Sequence, residues 1–191
     1  MGKITVFNYV TLDGFYAGPN GEIDWFKDIK KDKKFEKYTH KQSQSGNTLL
    51  FGRTTYEMMK SYWPTADARK NDRDMAKVMN NSPKIVFSKT LSSVQEEAHW
   101  KNIRLFHEID KKEITQMKKL ENTDFTLLGS GTVVQQFANR GLIDQYALVV
   151  VPVILGAGKP LFMDVKEMNL QLLDARAFKN GIGFLIYEAV K

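Results

Sequence analysis

The chain alternates between short hydrophobic runs and longer amphipathic segments. A short apolar run bounded by turn residues is typical of a strand that is buried on both faces of a parallel sheet. A segment with an apolar residue at every third or fourth position is typical of a helix that covers such a sheet. The predicted strands are residues 4–10, 48–51, 84–88, 103–106 and 125–128, and the predicted helices are residues 25–42, 52–61, 110–120 and 132–139, with residues 65–79 helical or irregular.

The pattern changes to β structure near the C-terminus. Residues 145–155 form a long β run, and residues 169–178 and 183–190 show the alternation of strands that bury one face. Asn180-Gly181, between the last two strands, favours a tight hairpin turn. We therefore predict one α/β domain over residues 1–191, with a mostly parallel central sheet, an antiparallel C-terminal hairpin and flanking helices.

Positive charge is concentrated in one stretch of the sequence. The formal net charge is +6, and much of the excess lies within residues 27–41. A basic helix can bind nucleic acid or acidic lipid, but the acidic residues that interrupt this one are typical of a helix face in contact with solvent. We expect neither nucleic acid nor a membrane as a partner, and the excess of charge would suit an anionic cofactor.

Composition excludes several kinds of site. The chain contains no cysteine, which rules out disulfides, thiolate nucleophiles and sulfur-ligated zinc. His40, His99 and His107 are too widely spaced for a metal-ligand motif, so no metal is expected. The sequence starts with a strand pattern instead of a signal-peptide region, and it has no apolar run of membrane-spanning length. These features predict a cytoplasmic protein.

The most informative motif is the Gly129-Ser130-Gly131 turn, which follows a predicted strand and precedes a predicted helix. The first N–H groups of a helix have no partner inside the helix and lie at its positive end. Glycines on both sides of Ser130 let an anion approach the backbone closely. The turn has neither the glycine spacing of the dinucleotide fingerprint nor the Gly-Lys-Ser/Thr of the P-loop. It suits a phosphate or pyrophosphate, although a turn that only reverses the chain has the same residues.

A second motif follows the next predicted strand end. Gly52 permits a close turn, and Arg53 offers a planar set of donors for a phosphate. Thr54 and Glu57 have the spacing of a capping box, which predicts that Thr54 caps the helix. The alternative to a phosphate-binding site is a well-capped helix whose arginine side chain lies in solvent.

The third strand end is Ser88-Lys89-Thr90, which supplies hydroxyl groups and a cation. In open α/β sheets, ligands bind beyond the carboxyl ends of the strands. The turns at Gly52, Ser88 and Gly129 are therefore predicted to share one rim. Together they match a phosphorylated dinucleotide better than any one of them does alone.

The order of these motifs resembles that of the dihydrofolate-reductase-like fold, and more closely that of its riboflavin-biosynthesis reductase family, the RibD C-terminal domain family. The resemblance covers nearly the whole chain, and the matching segments are Thr11-Leu12-Asp13-Gly14, Gly52-Arg53-Thr54-Thr55-Tyr56-Glu57, Lys84-Ile85-Val86-Phe87-Ser88, Leu128-Gly129-Ser130-Gly131-Thr132-Val133 and residues 151–162. It implies that NADPH lies along the predicted rim. It also implies hydride transfer to a C=O or C=N group of a small heterocycle or sugar.

The resemblance assigns roles to individual residues. The 2′-phosphate side of the adenosine would be held by Gly52, Arg53, Thr54, Thr55, Ser88 and Lys89. The pyrophosphate would be held by Gly129, Ser130, Gly131, Thr132 and Val133. The nicotinamide end would be bordered by Tyr9, Tyr16 and Ala17.

Residues expected to contact the substrate match the family less well. Phe7 stands where the riboflavin-pathway pattern has a lysine, and Leu127-Leu128 stands where it has a glutamate. Lys41 and Gln42 lie near the place of its phosphate-binding arginines. The residues assigned to the cofactor therefore match the family pattern, whereas the residues expected to contact the substrate do not.

Glu22 and Asp24 are the candidate proton donors, because a dihydrofolate reductase needs a carboxylate near the start of its first helix. A carboxylate in an apolar pocket beside Trp25 would have a raised pKa, but Asp24 also fits a helix N-cap. Asp13, Trp25 and Trp63 are the candidates for substrate contacts. Turn chemistry is the alternative for Asp13, and packing is the alternative for Trp63.

These observations predict an NADPH-dependent reductase that acts on a small-molecule substrate. The namesake activity of the family is the reduction of 5-amino-6-(5-phosphoribosylamino)uracil in riboflavin biosynthesis. Dihydrofolate reduction and a non-catalytic NADP-binding module are the alternatives. The resemblance suggests a homodimer through residues 147–155 and the C-terminal hairpin, and a two-fold dimer is the commonest closed assembly.

Overall fold

A central eight-stranded sheet organises the chain in the computed structural model, which describes residues 1–26, 32–43, 46–120 and 123–190. The strands are β1 (Ile4–Thr11), β2 (Phe15–Ala17), β3 (Thr48–Gly52), β4 (Lys84–Phe87), β5 (Ile103–Phe106), β6 (Phe125–Leu127), β7 (Gln145–Val151), β8 (Lys159–Pro160), β9 (Leu170–Ala177) and β10 (Gly183–Ala189). The helices are α1 (Lys33–Ser43), α2 (Arg53–Tyr62), α3 (Ala66–Asn71), α4 (Arg73–Asn81), α5 (Lys111–Leu120) and α6 (Gly131–Asn139), with a short 3₁₀ helix at Asp24–Phe26.

The order of strands in the sheet is β5-β4-β3-β6-β1-β7-β10-β9. Strands from β5 to β7 pair in parallel, and β10 pairs antiparallel with both β7 and β9. The short strands β2 and β8 form a separate antiparallel pair. The predicted mostly parallel α/β sheet with an antiparallel C-terminal hairpin is confirmed.

Strands in the middle of the sheet are apolar because helices cover both faces. Every residue of β3 and β4 is buried. On one face, Leu50 and Leu127 pack with Phe137 of α6. On the other face, Phe51 packs with Tyr56 of α2. Each such apolar side chain stabilises the fold by about 1.5–3 kcal/mol when it leaves water.

Strand β9 at the edge of the sheet differs from the others because it lies in solvent. Leu170, Leu172 and Leu173 are 39, 50 and 47% exposed. An exposed edge strand with apolar side chains is a surface on which another chain can pair. This edge strand is the surface through which we propose dimerisation below.

One predicted helix begins at a different residue in the structure. The helix predicted over residues 25–42 is wrong at its start, because α1 begins at Lys33. Asp32 accepts the N–H groups of Lys34 and Phe35, at 2.8 and 3.2 Å, so Asp32 caps α1 and Asp24 does not. Residues 27–31, which include part of the predicted helix and of the basic run, lie outside the described residues.

The predicted capping box of α2 is also wrong. Helix α2 starts directly after β3, with Gly52 at the N-cap and no side-chain cap bond. Glu57 instead accepts a 2.8 Å hydrogen bond from Nε of Arg53. Thr54 lies inside the first turn of α2, one residue after its start at Arg53.

Other boundaries follow ordinary turn and cap chemistry. The β run predicted to reach residue 155 ends at Val151, because Pro152 has no N–H for a ladder. Residues 65–79 form two helices, capped by the side chains of Thr65 and Asp72. Asp110 caps α5, because its Oδ1 accepts a 2.8 Å hydrogen bond from the N–H of Glu113. Within the described residues, every helix is too short or too polar to cross a lipid bilayer.

Candidate functional site

A cleft of about 440 Å³ opens at the carboxyl ends of the parallel strands. Because β3 lies between β4 and β6, the turns at Gly52, Ser88 and Gly129 meet along one rim, as predicted. The cleft is lined by Phe7, Asn8, Tyr9, Tyr16, Ala17, Gly21, Ile23, Phe26, Thr54, Thr55, Met58, Met59, Leu128, Gly129, Ser130, Thr132 and Lys159.

Gly52 and Gly129 join two of the turns. The N–H of Gly52 donates a 2.7 Å hydrogen bond to the carbonyl oxygen of Gly129. A Cβ on Gly52 would lie only 2.7 Å from Oγ of Ser130 and 2.8 Å from Cγ2 of Val133. Gly129 has a φ of +111°, which side chains rarely adopt, and the peptide bond that joins it to Ser130 is cis. Glycine at both positions therefore brings the backbones into direct contact.

The N-terminus of α6 presents amides and hydroxyls to the cleft. Ser130 occupies the N-cap without a side-chain cap bond, and its Oγ lies 2.9 Å from Oγ1 of Thr132. The carbonyl of Ser130 accepts the N–H groups of Val133 and Val134, each at 3.0 Å. Gly131 and Thr132 are the first residues of α6, so their N–H groups lie at the positive end of the helix, which is an arrangement suited to an anion.

Tyr16 covers part of this helix end. Its ring lies so close to Gly131 that a Cβ there would overlap it. Burial raises the pKa of the Tyr16 hydroxyl, and a hydrogen bond from the N–H of Gly131 partly offsets this rise. The phenol oxygen therefore accepts from an amide that the family resemblance assigns to the pyrophosphate.

Arg53 lies at the rim, outside the lining of the cleft. Its Nε bonds to Glu57, and its Nη1 donates a 3.0 Å hydrogen bond to Oγ1 of Thr90. Ser88 is buried, and its Oγ accepts the N–H groups of Thr90 and Leu91 at 3.3 and 3.1 Å. Ser88 thus shapes its turn, while the exposed side chains of Arg53, Thr90 and Lys89 remain at the surface.

An aromatic slot forms the other side of the cleft, and we define it by Phe7, Tyr9, Phe26, Met58 and Met59. The rings of Tyr9 and Phe26 stack with their centroids 5.4 Å apart. Burial raises the pKa of Tyr9 to about 12. The side chains of the slot are aromatic or thioether groups, which suit the face of a planar ring.

Comparison with known proteins identifies the family. Residues 2–184 match the model of the RibD C-terminal domain. The chain belongs to the RibD C-terminal domain family. It is 33% identical over 180 residues to the uncharacterized protein YyaP of Bacillus subtilis, a match that covers 94% of this chain and 90% of that protein.

Solved structures show the fold. A protein from Shewanella sp. PV-4, named for riboflavin biosynthesis, has a TM-score of 0.79 at 20% identity, with 99% of each chain covered. Dihydrofolate reductase from Enterococcus faecalis, complexed with NADP(H) and RAB-propyl, has a TM-score of 0.64 at 13% identity. That match covers 100% of this chain and 98% of the reductase. The resemblance to the dihydrofolate-reductase-like fold is confirmed.

Within this member of the RibD C-terminal domain family, Asp13 ties two loops together. It accepts hydrogen bonds from Oγ1 of Thr11 at 2.6 Å and from the N–H groups of Gly156 and Leu155 at 2.8 and 3.3 Å. The bond from Thr11, followed by the backbone bonds, lowers the pKa of Asp13. These contacts give the side chain a role in holding the loop after β7 against the end of β1.

The two candidate proton donors lie in an exposed loop. Glu22 accepts hydrogen bonds from the backbone N–H and the side chain of Asn20, at 2.9 and 2.7 Å. A bond from its own backbone and the bond from the Asn20 side chain lower the pKa of Glu22, which is opposite to the shift expected of a proton donor. Asp24 is also exposed, and Ile23 between these two residues is the one that lines the cleft.

The two candidate tryptophans pack beside the cleft. Trp25 makes an edge-to-face contact with Phe26, 5.3 Å between ring centroids, and Phe26 in turn lines the cleft. Trp63 packs under α2, where its Nε1 donates to Sδ of Met59 at 3.1 Å. Both tryptophans thus support residues of the aromatic slot.

Sequence reasoning missed Asn8. Asn8 is 9% exposed and lines the cleft, and its Oδ1 is buried without a hydrogen-bond partner among the described residues. The alternation along β1 places it on the face of Ile4, Val6 and Val10, which are buried in the core. A polar residue at a core position of the strand pattern was the signal that could have found it.

Proposed function

We propose that this protein is an NADPH-dependent reductase that transfers a hydride to a small heterocyclic substrate. The observation that carries the proposal is the rim where Gly52 and Gly129 expose the N-terminus of α6 beside Arg53. Backbone amides lie at this helix end and the guanidinium of Arg53 lies farther along the same rim, and both kinds of group bind phosphate. The cleft beside them is lined by the side chains of the aromatic slot.

The residues present fit such a cofactor. A Cβ would fill the space at Gly52, and Asn8, whose Oδ1 has no partner among the described residues, lines the cleft beside it. Under this proposal, the adenosine 2′-phosphate binds at Arg53, Lys89 and the turn that holds them, and the pyrophosphate binds along residues 129–133. The nicotinamide ring lies toward Tyr9, Tyr16 and Ala17.

NADPH would supply the hydride, and the protein would supply binding and orientation. Tyr9 and Phe26 present stacked ring faces that would hold a planar acceptor, and Met58 and Met59 would adapt to its edge. A heterocycle of the ribosylaminopyrimidine type, as in riboflavin biosynthesis, is the substrate class we propose. Lys159, which also lines the cleft, would be available to an acidic substituent of that heterocycle.

Calorimetric titration with NADPH and NADH tests this proposal. We expect NADPH to bind with a dissociation constant in the micromolar range and more tightly than NADH. Absence of NADPH binding at hundreds of micromolar, which is about the top of ordinary KM values, would rule the proposal out.

A non-catalytic NADP-binding module is the second candidate. The exposed positions of Glu22 and Asp24, and the lowered pKa of Glu22, favour it over a dihydrofolate reductase that protonates its substrate through one of these carboxylates. Oxidation of NADPH with pterins, pyrimidines and small carbonyl compounds distinguishes the two. NADPH that binds but is never oxidised would favour the module.

We also propose that the protein forms a homodimer through its C-terminal hairpin. The edge strand β9 exposes Leu170, Leu172 and Leu173 together with its unpaired backbone groups. A Leu172→Asp variant should shift the protein from dimer to monomer in light scattering after size-exclusion chromatography. A wild-type protein that elutes as a monomer at micromolar concentration would contradict this.

A further inference from the structure

The side-chain amide of Asn8 is buried, but its oxygen makes no hydrogen bond to the described part of the protein. Its side chain lies on the core face of β1, and its Oδ1 is buried without a hydrogen-bond partner among the residues described. An unpaired buried amide oxygen destabilises a protein. A leucine of similar shape would avoid that cost, so the amide at this position points to a ligand.

The position of Asn8 in the cleft indicates which part of a ligand it meets. A Cβ built on Gly129 would lie 3.6 Å from Nδ2 of Asn8 and 3.3 Å from Oγ1 of Thr55, so the amide lies beside the β6–α6 turn. The next residue, Tyr9, points to the opposite face of β1 and stacks on Phe26 in the aromatic slot. Asn8 therefore lies between the anion-binding turn and the slot.

Under the proposed function, on which this inference rests, the nicotinamide ring occupies that intermediate place. Nicotinamide bears a carboxamide, which has N–H donors for an oxygen acceptor and an oxygen acceptor for N–H donors. We propose that Asn8 is a positioning residue that pairs with the nicotinamide carboxamide. This pairing would set the rotation of the ring and so determine which side of it faces the aromatic slot.

Asn8→Leu tests the pairing through two ligands. NADPH contains the nicotinamide, whereas 2′,5′-ADP contains only the adenosine with its 2′- and 5′-phosphate groups. Calorimetry should show NADPH binding that is about tenfold weaker in Asn8→Leu, since one neutral hydrogen bond and an unpaired ligand amide account for roughly that factor. Affinity for 2′,5′-ADP should stay unchanged, and the melting temperature of the free protein should rise.

Asn80→Leu is the matched control. Asn80 also has a buried Oδ1 without a partner, but it lies at the end of α4, outside the cleft. Asn80→Leu should leave both affinities at the wild-type level. If Asn8→Leu does not fold, the affinities of Asn8→Ala for NADPH and for 2′,5′-ADP provide the same comparison.

The outcomes separate this inference from the function on which it rests. If wild-type protein binds NADPH and the Asn8 variant binds it equally well, Asn8 does not position the ring and the reductase proposal stands. Equal weakening of NADPH and 2′,5′-ADP would show a structural effect and would also overturn the inference. A wild-type protein that binds neither ligand overturns both.

Discussion

On the side of the cleft formed by the β3–α2 and β6–α6 turns, backbone atoms define the surface, with Gly52 bonded to Gly129 at 2.7 Å. On the side formed by β1, the 3₁₀ helix and α2, side chains such as Tyr9, Phe26 and Met58 define it. The backbone-built side depends on close contacts that only a residue as small as glycine permits, whereas the side chains of the other side can be replaced one at a time. Under the proposed function, cofactor binding and substrate choice are therefore separable.

The largest effect is expected from Gly52→Ala on the backbone-built side. Its new Cβ would collide with Ser130 and Val133, so the β6–α6 turn must shift. We expect NADPH binding to weaken about a hundredfold and the free energy of unfolding to fall by about 1–3 kcal/mol, as for other overpacked sites. Calorimetry and thermal denaturation measure the two effects.

Gly183→Ala is the control for that prediction. Gly183 is in β10, where a Cβ would lie 3.9 Å from Cβ of Val150, an ordinary contact. This variant should bind NADPH like the wild type. Normal NADPH binding by Gly52→Ala would show that the contact between the turns does not shape the cofactor site.

Arg53→Ala should have the next largest effect, and only on the phosphorylated cofactor. A charge-assisted hydrogen bond to a phosphate contributes about 1.5–3 kcal/mol, so NADPH binding should weaken about tenfold to a hundredfold. NADH lacks the 2′-phosphate and should bind as before. Arg140→Ala is the control, because that arginine bonds to Gln136 at the far end of α6. Equal losses for both nucleotides would contradict the assignment of Arg53.

Much of the fold was predictable because its signals are local. The buried runs of β3, β4 and β6 are apolar at nearly every position, so their periodicity and their parallel pairing could be inferred together. Glycines marked the turns that converge at the rim. The start of α1 was missed because the sequence assigned the cap to Asp24, whereas the cap residue is Asp32, which also accepts a 2.9 Å tertiary hydrogen bond from the N–H of Lys179.

The substrate side was less predictable for a physical reason. Carboxylates near an aromatic residue suggest a proton donor, but whether Glu22 is buried or exposed depends on how its loop folds back on Asn20. The aromatic slot draws Phe7, Phe26 and Met58 from distant segments whose side chains look like ordinary core residues in sequence. A pocket formed by side chains from distant segments leaves no recognisable pattern within any one segment of the sequence.

The burial of Tyr9 in the aromatic slot predicts a pH effect on stability. Burial raises the pKa of Tyr9 from 10.0 to about 12, so the folded protein favours the neutral phenol. This contribution is present in full below pH 10 and is lost as the pH rises through 12. Relative to Tyr9→Phe, the wild type should lose roughly 1–2 kcal/mol of unfolding free energy between pH 10 and 12.

Denaturant unfolding of both proteins across that pH range measures this difference. Tyr62→Phe is the control, because Tyr62 is 41% exposed and lies outside the lining of the cleft. A constant difference between wild type and Tyr9→Phe from pH 8 to pH 12 would show that water reaches the slot.

The smallest effect is expected from Tyr16→Phe, where the two sides of the cleft meet. The Tyr16 hydroxyl accepts the N–H of Gly131, one of the amides that the cofactor phosphate would use. Loss of the hydroxyl frees that amide in the unliganded protein, and a neutral hydrogen bond contributes about 0.5–1.5 kcal/mol. NADPH should therefore bind about threefold more tightly to Tyr16→Phe, as measured by calorimetry. Weaker binding would show instead that the hydroxyl contacts the cofactor directly.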